Sequence, residues 1–222
     1  MKVEQAIFTS LSRGGKSGYH VIARSPGVSE QDANAIAAWS PSNGALIVDP
    51  ANQISVNYHP LPGGRFVLSR TCEGPPEYSG RGGKQLFTQV LLIEADDLRA
   101  AAAGPIAVYR DALALGKMVY RANPPNLLEA VELGTSHLVR DPNFWFERAK
   151  ALGLPDLKPI VNRLLARESV RIAYPGDRLV LAQCILGALP PDLRFRVSFS
   201  TSLRPSAVRP CRLVLVGPEA AK

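Results

Sequence analysis

"QISVNYHPLPGGRFVLSRTCEGPPEYSGRGGKQLFTQVLLIE" spans residues 53–94 and decides the fold class of this chain. It contains three segments rich in β-branched and aromatic residues, which are typical of strands. The turn signal PLPGG at 60–64 makes the first connection, and residues 74–83 make the second. The stretch therefore predicts three consecutive antiparallel strands at 53–61, 64–73 and 84–94.

Two further strands and a helix are predicted upstream of this stretch. Segments 3–10 and 18–25 are strand candidates, and the glycine-containing loop between them suits a hairpin. Ser29 is a favourable N-cap, and Asp32 stands where a capping box has an acidic side chain. An amphipathic helix is expected to follow and to end before Pro41.

The second half of the chain is predicted to be rich in helices. A short helix at 95–104, ended by Gly104, marks the change from strand-like to helical periodicity. Further helices are expected at 105–115, 125–134, 143–153, 156–168 and 176–190, and strands at 169–175, 193–201 and 210–217.

These elements predict an α+β protein of two packed modules. Residues 1–104 are expected to form an antiparallel sheet with a flanking helix. Residues 105–222 are expected to form a helix-rich module with a small sheet of its own.

Length and composition place the chain among ordinary globular proteins. Of its 222 residues, 46% are hydrophobic and 20% are charged. No apolar run reaches the roughly 20 residues that a membrane span needs, and polar residues come too early for a signal peptide, so a cytoplasmic protein without a membrane segment is expected. Three cysteines without metal-type spacing predict buried free thiols: Cys72, Cys184 and Cys211.

The formal charge of +7 is unevenly distributed. Residues 1–100 hold 9 basic and 9 acidic side chains, whereas residues 101–222 hold 17 basic and 10 acidic ones and supply the whole excess. A basic face can meet nucleic acid, an acidic protein surface or a nucleotide, or it can simply be solvated. Aromatic residues are not interleaved with the basic ones, so nucleic acid is not favoured.

The segment LRFRVSFST at 193–201 alternates between polar and apolar residues. As a strand it would direct Phe195, Val197 and Phe199 to the core and two arginines to the opposite face. We therefore expect a solvent-facing basic patch that docks an acidic surface of a partner protein. Its candidate residues are Arg194, Arg196, Arg204, Arg209 and Arg212.

The tetrapeptide Arg-Gly-Gly-Lys occurs at 13–16 and again at 81–84. A Walker A loop needs GxxxxGK[ST] between a strand and a helix. Gly15, Lys16 and Ser17 supply the end of that motif, but Ser10 stands where its first glycine should be, and a strand is predicted to follow. The second copy also precedes a predicted strand, so both copies are expected to be turns.

A weaker alternative keeps an anion site at these two Gly-basic loops. Glycine-rich turns can arrange backbone N–H groups into an anion nest, with basic side chains beside it. The candidate ligand-binding residues are Arg13, Lys16, Tyr78, Ser79, Arg81 and Lys84.

The search for catalytic and metal-binding motifs favours a protein that is not an enzyme. No GxSxG elbow exists, and no carboxylate pair suits acid–base catalysis. Cys72 with His59 or His20 could form a thiolate–imidazole pair, but one cysteine and one histidine in a sheet are more often structural. No zinc or calcium spacing occurs, and no metal or cofactor is predicted.

Three long phrases resemble a known family: EQAIFTSLSRGGKSGYHVIARSPGVSE at 4–30, the stretch 57–98, and LPPDLRFRVSFSTSLRPSAVRPCRLVLV at 189–216. The most specific pieces are EYSGRGG at 77–83, SFST at 198–201 and the dipeptide Arg209-Pro210. The chain resembles the bacterial GTPase-associated protein family, in its N-terminal domain of the second type and the adjoining middle domain.

The resemblance implies a function but no catalytic residues. Members are proposed to serve as adaptors or recruiters for GTPases in bacterial signalling or conflict systems, so a non-catalytic adaptor with a protein partner is expected here. Two alternatives stay open: an enzyme or ligand sensor with an anion site at the Gly-basic loops, and nucleic-acid binding through the basic C-terminal face.

Overall fold

The computed structural model describes residues 1–12, 15–77, 82–102, 104–134 and 138–220. Within these ranges, nine strands form one open sheet in the order β2-β1-β5-β4-β3-β8-β9-β7, with β6 paired to β1. The strands are β1 Lys2–Ser10, β2 Tyr19–Arg24, β3 Ile54–Pro60, β4 Phe66–Pro76, β5 Lys84–Ile93, β6 Val131–Glu132, β7 Val170–Ala173, β8 Phe199–Ser200 and β9 Leu213–Val216.

Seven α-helices accompany the sheet in the described part of the chain, and the α+β class is confirmed. Ser29 caps the first helix, and its capping box with Asp32 is complete, as the sequence predicted. The helices are α1 Glu30–Trp39, α2 Ala95–Ala100, α3 Pro105–Ala114, α4 Pro142–Ala151, α5 Leu157–Leu165, α6 Arg178–Gly187 and α7 Pro191–Arg194, with a 3₁₀ turn at Pro218–Ala220.

The first five strands follow the predicted pattern closely. β3, β4 and β5 pair antiparallel, with Asn57 opposite Ser69 and Ser69 opposite Val90. β1 lies between β2 and β5 and pairs antiparallel with both. The first Arg-Gly-Gly-Lys copy lies between β1 and β2, and the second follows β4 and ends in the first residue of β5, so a strand and not a helix comes after each copy, as predicted. Arg13, Gly14 and Arg81 lie outside the described residues.

The sheet does not stop at residue 104, which corrects the prediction of a second small sheet. β8 pairs with β3 through Asn57 opposite Ser200, and β9 and β7 continue the same sheet by parallel pairing. Three short strands with apolar faces bury more surface by extending an existing sheet than by forming one of their own.

The helix predicted at 125–134 is wrong. Val131 and Glu132 instead form β6, which pairs with Lys2 and Val3 of β1. Val131 and Leu133 are buried and the intervening Glu132 is exposed, which is a two-residue period. The nearby edge of β1 offers backbone hydrogen bonds to this segment, and tertiary pairing overrides its helical spacing.

The strand predicted at 193–201 is also wrong over most of its length. Pro191 begins the short helix α7, which ends at Arg194, and only Phe199 and Ser200 lie in a strand. Val197 and Phe199 are buried as expected, but Arg194 is only 2% exposed, whereas the alternation predicted that it would face solvent. Proline is favoured at the first position of a helix, and Pro191 holds that position in α7. The helical turn directs the Arg194 side chain into the interior.

Two of the three hydrophobic clusters lie on opposite faces of the sheet. The larger cluster packs helices α3 to α6 on the face that carries Tyr58, Leu91 and Leu213. The smaller one packs Ile36 of α1 against Val67 and its neighbours on the other face. All three cysteines are free and buried, as predicted. No helix in the described ranges has the length and apolar character to cross a membrane.

Candidate functional site

The structure separates the five arginines of the predicted basic patch into three places. Arg194 is buried beneath the surface. Arg204 and Arg209 line a narrow slot on the α1 face of the sheet. Arg196 and Arg212 line a wider cleft on the opposite face, together with Arg167, which the sequence analysis missed.

Arg194 has a structural position, so the prediction that it is offered to a partner is wrong. Its guanidinium donates to the carbonyl oxygens of Gly187, Leu189 and Arg140 at 2.7, 3.0 and 3.0 Å. Two of these carbonyls lie at the end of α6, where a cation complements the helix dipole. Burial lowers the pKa of the Arg194 guanidinium, and the charge of Asp141 opposes that effect.

The wider cleft, which we call the arginine cleft, combines three guanidinium groups with an apolar floor. Its volume is about 420 Å³, within the range of ligand and peptide sites. Arg167, Arg196 and Arg212 surround it. The floor and wall consist of Leu164, Leu165, Leu189, Leu193 and Val197.

Local structure fixes each of the three arginines differently. Arg167 follows the end of α5 with φ 62, a left-handed conformation that is uncommon outside glycine. Arg196 follows α7, and its guanidinium lies 5.6 Å from the centroid of the Phe195 ring. Arg212 precedes β9, where its backbone N–H donates to Ser198 Oγ and its Nη2 donates to Leu164 O.

The charge of the arginine cleft is not neutralised by the described residues. None of their carboxylates forms an ion pair with any of the three arginines, and the Nε of Arg212 is buried without a hydrogen-bond partner. Glu168, beside Arg167 in sequence, is bonded at 2.8 Å to Arg163 instead. The arginine cleft therefore carries an uncompensated positive charge in the described part of the chain.

The Gly-basic loops come together at their bases, at one end of the sheet. Glu77, before the second loop, accepts hydrogen bonds from Ser10 and Tyr19, which flank the first loop. The Tyr19 hydroxyl also accepts from the backbone N–H of Leu86 at 2.9 Å. Burial raises the pKa of Tyr19, and Glu77 adds to the rise. The Glu77 carboxylate therefore lies at the junction between the bases of the two loops.

The candidate residues of the anion site have different placements. Lys84 forms an ion pair with Glu73 at 2.6 Å. Lys16 lines a groove beside β2 with His20 and Arg24. Outside the described residues lie Arg13, Tyr78, Ser79 and Arg81, and the anion site stays a prediction.

The thiolate–imidazole pair considered from the sequence does not form. Cys72 lies opposite Ile54, and His59 lies opposite Val67. Ile54 and His59 are an odd number of residues apart on β3, so their side chains point to opposite faces of the sheet. Cys72 shares the face of Ile54 and therefore faces away from His59. His20 is on β2, with β1 and β5 between it and Cys72. Burial raises the pKa of the Cys72 thiol, and among the described residues no group of three or more His, Cys, Asp or Glu could hold a metal.

Comparison with known families gives one match, the family described as GTPase-associated protein 1, N-terminal domain type 2, over residues 2–131. The chain belongs to this family. No curated protein and no solved structure matches it. The family's name associates the chain with GTPases, and the resemblance of residues beyond 131 to an adjoining middle domain stays a prediction.

The segment that matches this family, residues 2–131, contains β1 to β5, helices α1 to α3 and both Gly-basic loops. The arginine cleft lies wholly in the remainder, because its first lining residue is Leu164. Sequence reasoning missed Arg167 because it stands outside any alternating segment. The only signal for it was the excess of basic residues after position 100.

Proposed function

We propose that this chain is a non-catalytic adaptor that binds an acidic surface of a partner protein through the arginine cleft. The partner is a GTPase of a bacterial signalling or conflict system. The observation that carries the proposal is the arrangement of three arginines, unpaired with any described carboxylate, around an apolar floor. The family's description supplies the link to GTPases.

The composition of the arginine cleft favours a protein partner over a nucleic acid. Arginine around apolar side chains is the mixture that protein interfaces enrich, since guanidinium groups pair with carboxylates while leucines exclude water. Bases of single-stranded nucleic acid need aromatic rings for stacking, and the floor presents Leu165, Leu193 and Val197 instead. An acidic protein segment with an apolar side chain between its carboxylates fits both parts.

Charge reversal in the arginine cleft tests the proposal. Arg167 and Arg196 are exposed and make no side-chain hydrogen bond to the described residues, so the variant Arg167→Glu/Arg196→Glu should keep the fold. Affinity purification from the native cell, with mass spectrometry, should recover a GTPase with the wild type and lose it with this variant. The purified GTPase should then bind wild type directly, with a dissociation constant that rises with salt.

The control variant Lys150→Glu/Lys158→Glu makes the same change of charge at exposed positions outside the cleft. It should retain the partner. Equal recovery of the GTPase by the wild type and the folded arginine variant would remove the cleft from the function. Duplex DNA binding with a steep salt dependence, and no protein partner, would support the nucleic-acid alternative instead.

A further inference from the structure

An open groove borders β2, the strand at one end of the sheet among the described residues. The arginine cleft lies near the other end, where Arg212 precedes β9. The groove runs between β2 and α1, has a volume of about 270 Å³ and lies within the segment that matches the family. Its lining residues are Lys16, residues 20–24, Glu30, Ala33, Asn34, Ala37 and Asn126.

The groove follows the backbone edge of β2 rather than one of its faces. Five consecutive residues, 20–24, line it, but the side chains of a strand alternate between the two faces of a sheet. Val21 packs against the cluster beneath α1, whereas Ile22 and Ala23 belong to a cluster with Ile7 on the opposite face. Ile22 and Ala23 therefore border the groove through their backbone.

Val21 presents backbone hydrogen-bonding groups to the groove. The N–H of Leu11 donates to Gly18 O, so these two residues form a hydrogen-bonded pair of the β1–β2 ladder. Such pairs alternate with pairs whose N–H and C=O groups point outward. Val21, opposite Phe8 and three residues beyond Gly18, belongs to an outward-pointing pair. No described backbone group outside β1 and β2 bonds to it.

The chain itself pairs with the next part of this edge. Leu127 forms a parallel bridge with Arg24, and the N–H of Leu128 donates to Arg24 O at 3.2 Å. The bridge is one residue long, and Leu127 is 66% exposed beside it. The outer edge of β2 therefore accepts a backbone partner at Arg24, and the groove continues along that edge past Val21.

Two features limit the length of any strand that could be added here. The ladder between β1 and β2 has a bulge at Ile22, and a bulge interrupts regular pairing. The segment 126–128 already occupies the edge at Arg24. A short segment of a few residues fits the remaining edge, whereas the six-residue β2 of a second copy would meet both obstacles.

The wall of the groove on α1 favours an apolar side chain. Ala33 and Ala37 are one helical turn apart, and both line the groove with Val21. Small side chains on the helix leave space beside Val21 for a larger side chain from an incoming segment. Asn34, exposed between them, offers an amide to the backbone of that segment.

The charges of the groove favour an acidic segment. Glu30, its acidic lining residue, is bonded at 2.7 Å to Arg24, so these two charges compensate each other. Lys16 is exposed and forms no ion pair with a described residue. His20 lines the groove with it. The remaining charge is therefore positive.

We propose that the groove binds a short extended segment of a partner protein, with a carboxylate near an apolar side chain, which adds to β2 as an edge strand. Its backbone pairs with Val21, its apolar side chain lies against Ala33 and Ala37, and its carboxylate meets Lys16. In this mode main-chain hydrogen bonds supply affinity and side-chain pockets supply selectivity. The groove shares no lining residue with the arginine cleft, so its ligand is independent of the GTPase binding proposed there.

The probe is the peptide acetyl-Glu-Val-Thr-Val-Glu-amide, which combines strand-forming residues with a carboxylate at either end. Titration of the full chain labelled with ¹⁵N should give saturable amide shifts in residues 20–24 and in α1. The amide proton of Val21 should exchange with solvent more slowly in the complex, because it gains an acceptor. The same peptide with lysine in place of both glutamates should bind about fivefold more weakly.

Two methylated peptides separate backbone pairing from side-chain contact. In an added strand, alternate N–H groups face β2 and the others face away. One peptide is N-methylated at both valines, and the other is N-methylated at the threonine. One of them should bind at least about tenfold more weakly than the parent peptide, and the other should bind about as well as the parent.

Four variants assign the contacts. Val21→Pro removes the outward N–H, which an edge strand tolerates because that group takes no part in the ladder, and it should weaken binding about tenfold. Asn34→Trp should fill the groove from α1 and weaken binding even if Val21→Pro fails to fold. Gln31→Trp adds the same ring at an exposed position of α1 outside the groove and should change nothing. Lys16→Glu should make the lysine peptide the better ligand.

Three results would overturn this assignment. No saturable shift at about 5 mM probe would mean that the edge of β2 takes no peptide. Equal effects of the two methylated peptides would mean that binding does not use backbone pairing. Self-association of the free chain that Val21→Pro abolishes, measured by sedimentation, would mean that the occupant is a second copy. None of these results bears on GTPase binding, which Arg167→Glu/Arg196→Glu tests separately.

Discussion

Arg194 Nη2 donates to the carbonyl oxygen of Gly187 at 2.7 Å, and this contact ties α7 to the end of α6. The guanidinium is 2% exposed and contacts three backbone carbonyls rather than a carboxylate. A cation that satisfies the last carbonyls of a helix acts as its C-terminal cap. The residue that the sequence placed on a binding surface therefore has a role in stability.

The variant Arg194→Ala should lower the free energy of unfolding by about 3 kcal/mol, because three buried carbonyl groups lose their donor. Urea denaturation with circular dichroism measures this change. Arg196→Ala removes an exposed guanidinium two residues away and should change the free energy by no more than about 0.5 kcal/mol. Equal stability of the two variants would show that Arg194 is not a cap.

The fate of Arg194 shows why part of the fold could not be predicted. In β3 to β5, alternation and turn signals agree, and the predicted strands are confirmed. At 193–201 the alternation is equally clear, but Pro190 and Pro191 favour a helical turn, and the carbonyls of α6 offer Arg194 a better environment than solvent. The residue pattern of one segment does not show which groups from distant parts of the chain will lie next to it in the fold.

The same limit applies to the candidate sites. The basic excess after residue 100 indicated an anion-binding surface and named Arg196 and Arg212. It could not show that they meet Arg167 over a leucine floor, nor that Arg204 and Arg209 belong to a different slot. These groupings depend on which face of the sheet each loop covers.

Gly187 gives a second prediction, about packing between α4 and α6. A Cβ at this position would overlap the indole of Trp145. Gly187→Ala should therefore lower the free energy of unfolding by about 2 kcal/mol, since the ring or the helix must shift. A double-mutant cycle with Trp145→Leu measures the coupling, and the cost of the added methyl group should fall in that background. An unchanged cost would place the clash elsewhere.

Asp49 and Arg178 provide a third prediction. Arg178 is fully buried, and its Nη2 donates to Asp49 Oδ2 at 2.7 Å. Burial opposes ionisation of Asp49, but the hydrogen bond from Asn52 and the charge of Arg178 hold its pKa below the ordinary value. Asp49→Ala should lower the free energy of unfolding by about 3 kcal/mol at pH 7, because it leaves a buried guanidinium without its carboxylate.

The pH dependence of this difference has a definite sign. A carboxyl group whose pKa is lowered by folding stabilises the protein above its unfolded pKa of about 4, and the stabilisation is lost as pH falls through the folded pKa. The difference between wild type and Asp49→Ala should therefore shrink below about pH 4. Asp156→Ala, which removes an exposed helix cap, should cost less, about 1 kcal/mol.

His59 gives the last prediction, with a pH dependence in a different range. Burial lowers the pKa of His59 from 6.5 to about 4, and its hydrogen bond to Pro60 opposes the change. His59 therefore takes up a proton near pH 6.5 in the unfolded chain but only near pH 4 in the folded chain. Stability due to neutral His59 is complete above pH 6.5 and is lost as pH falls, by about 3 kcal/mol between pH 7 and pH 4.

The variant His59→Phe isolates this contribution, because it retains a ring against Trp39 but has nothing to titrate. Urea denaturation of both proteins from pH 7 to pH 4 should show the wild type losing about 3 kcal/mol more than the variant. Groups common to the two proteins, including the acidic residues that titrate below pH 5, cancel in this comparison. Parallel losses would mean that His59 takes up its proton at the same pH in the folded and unfolded chains.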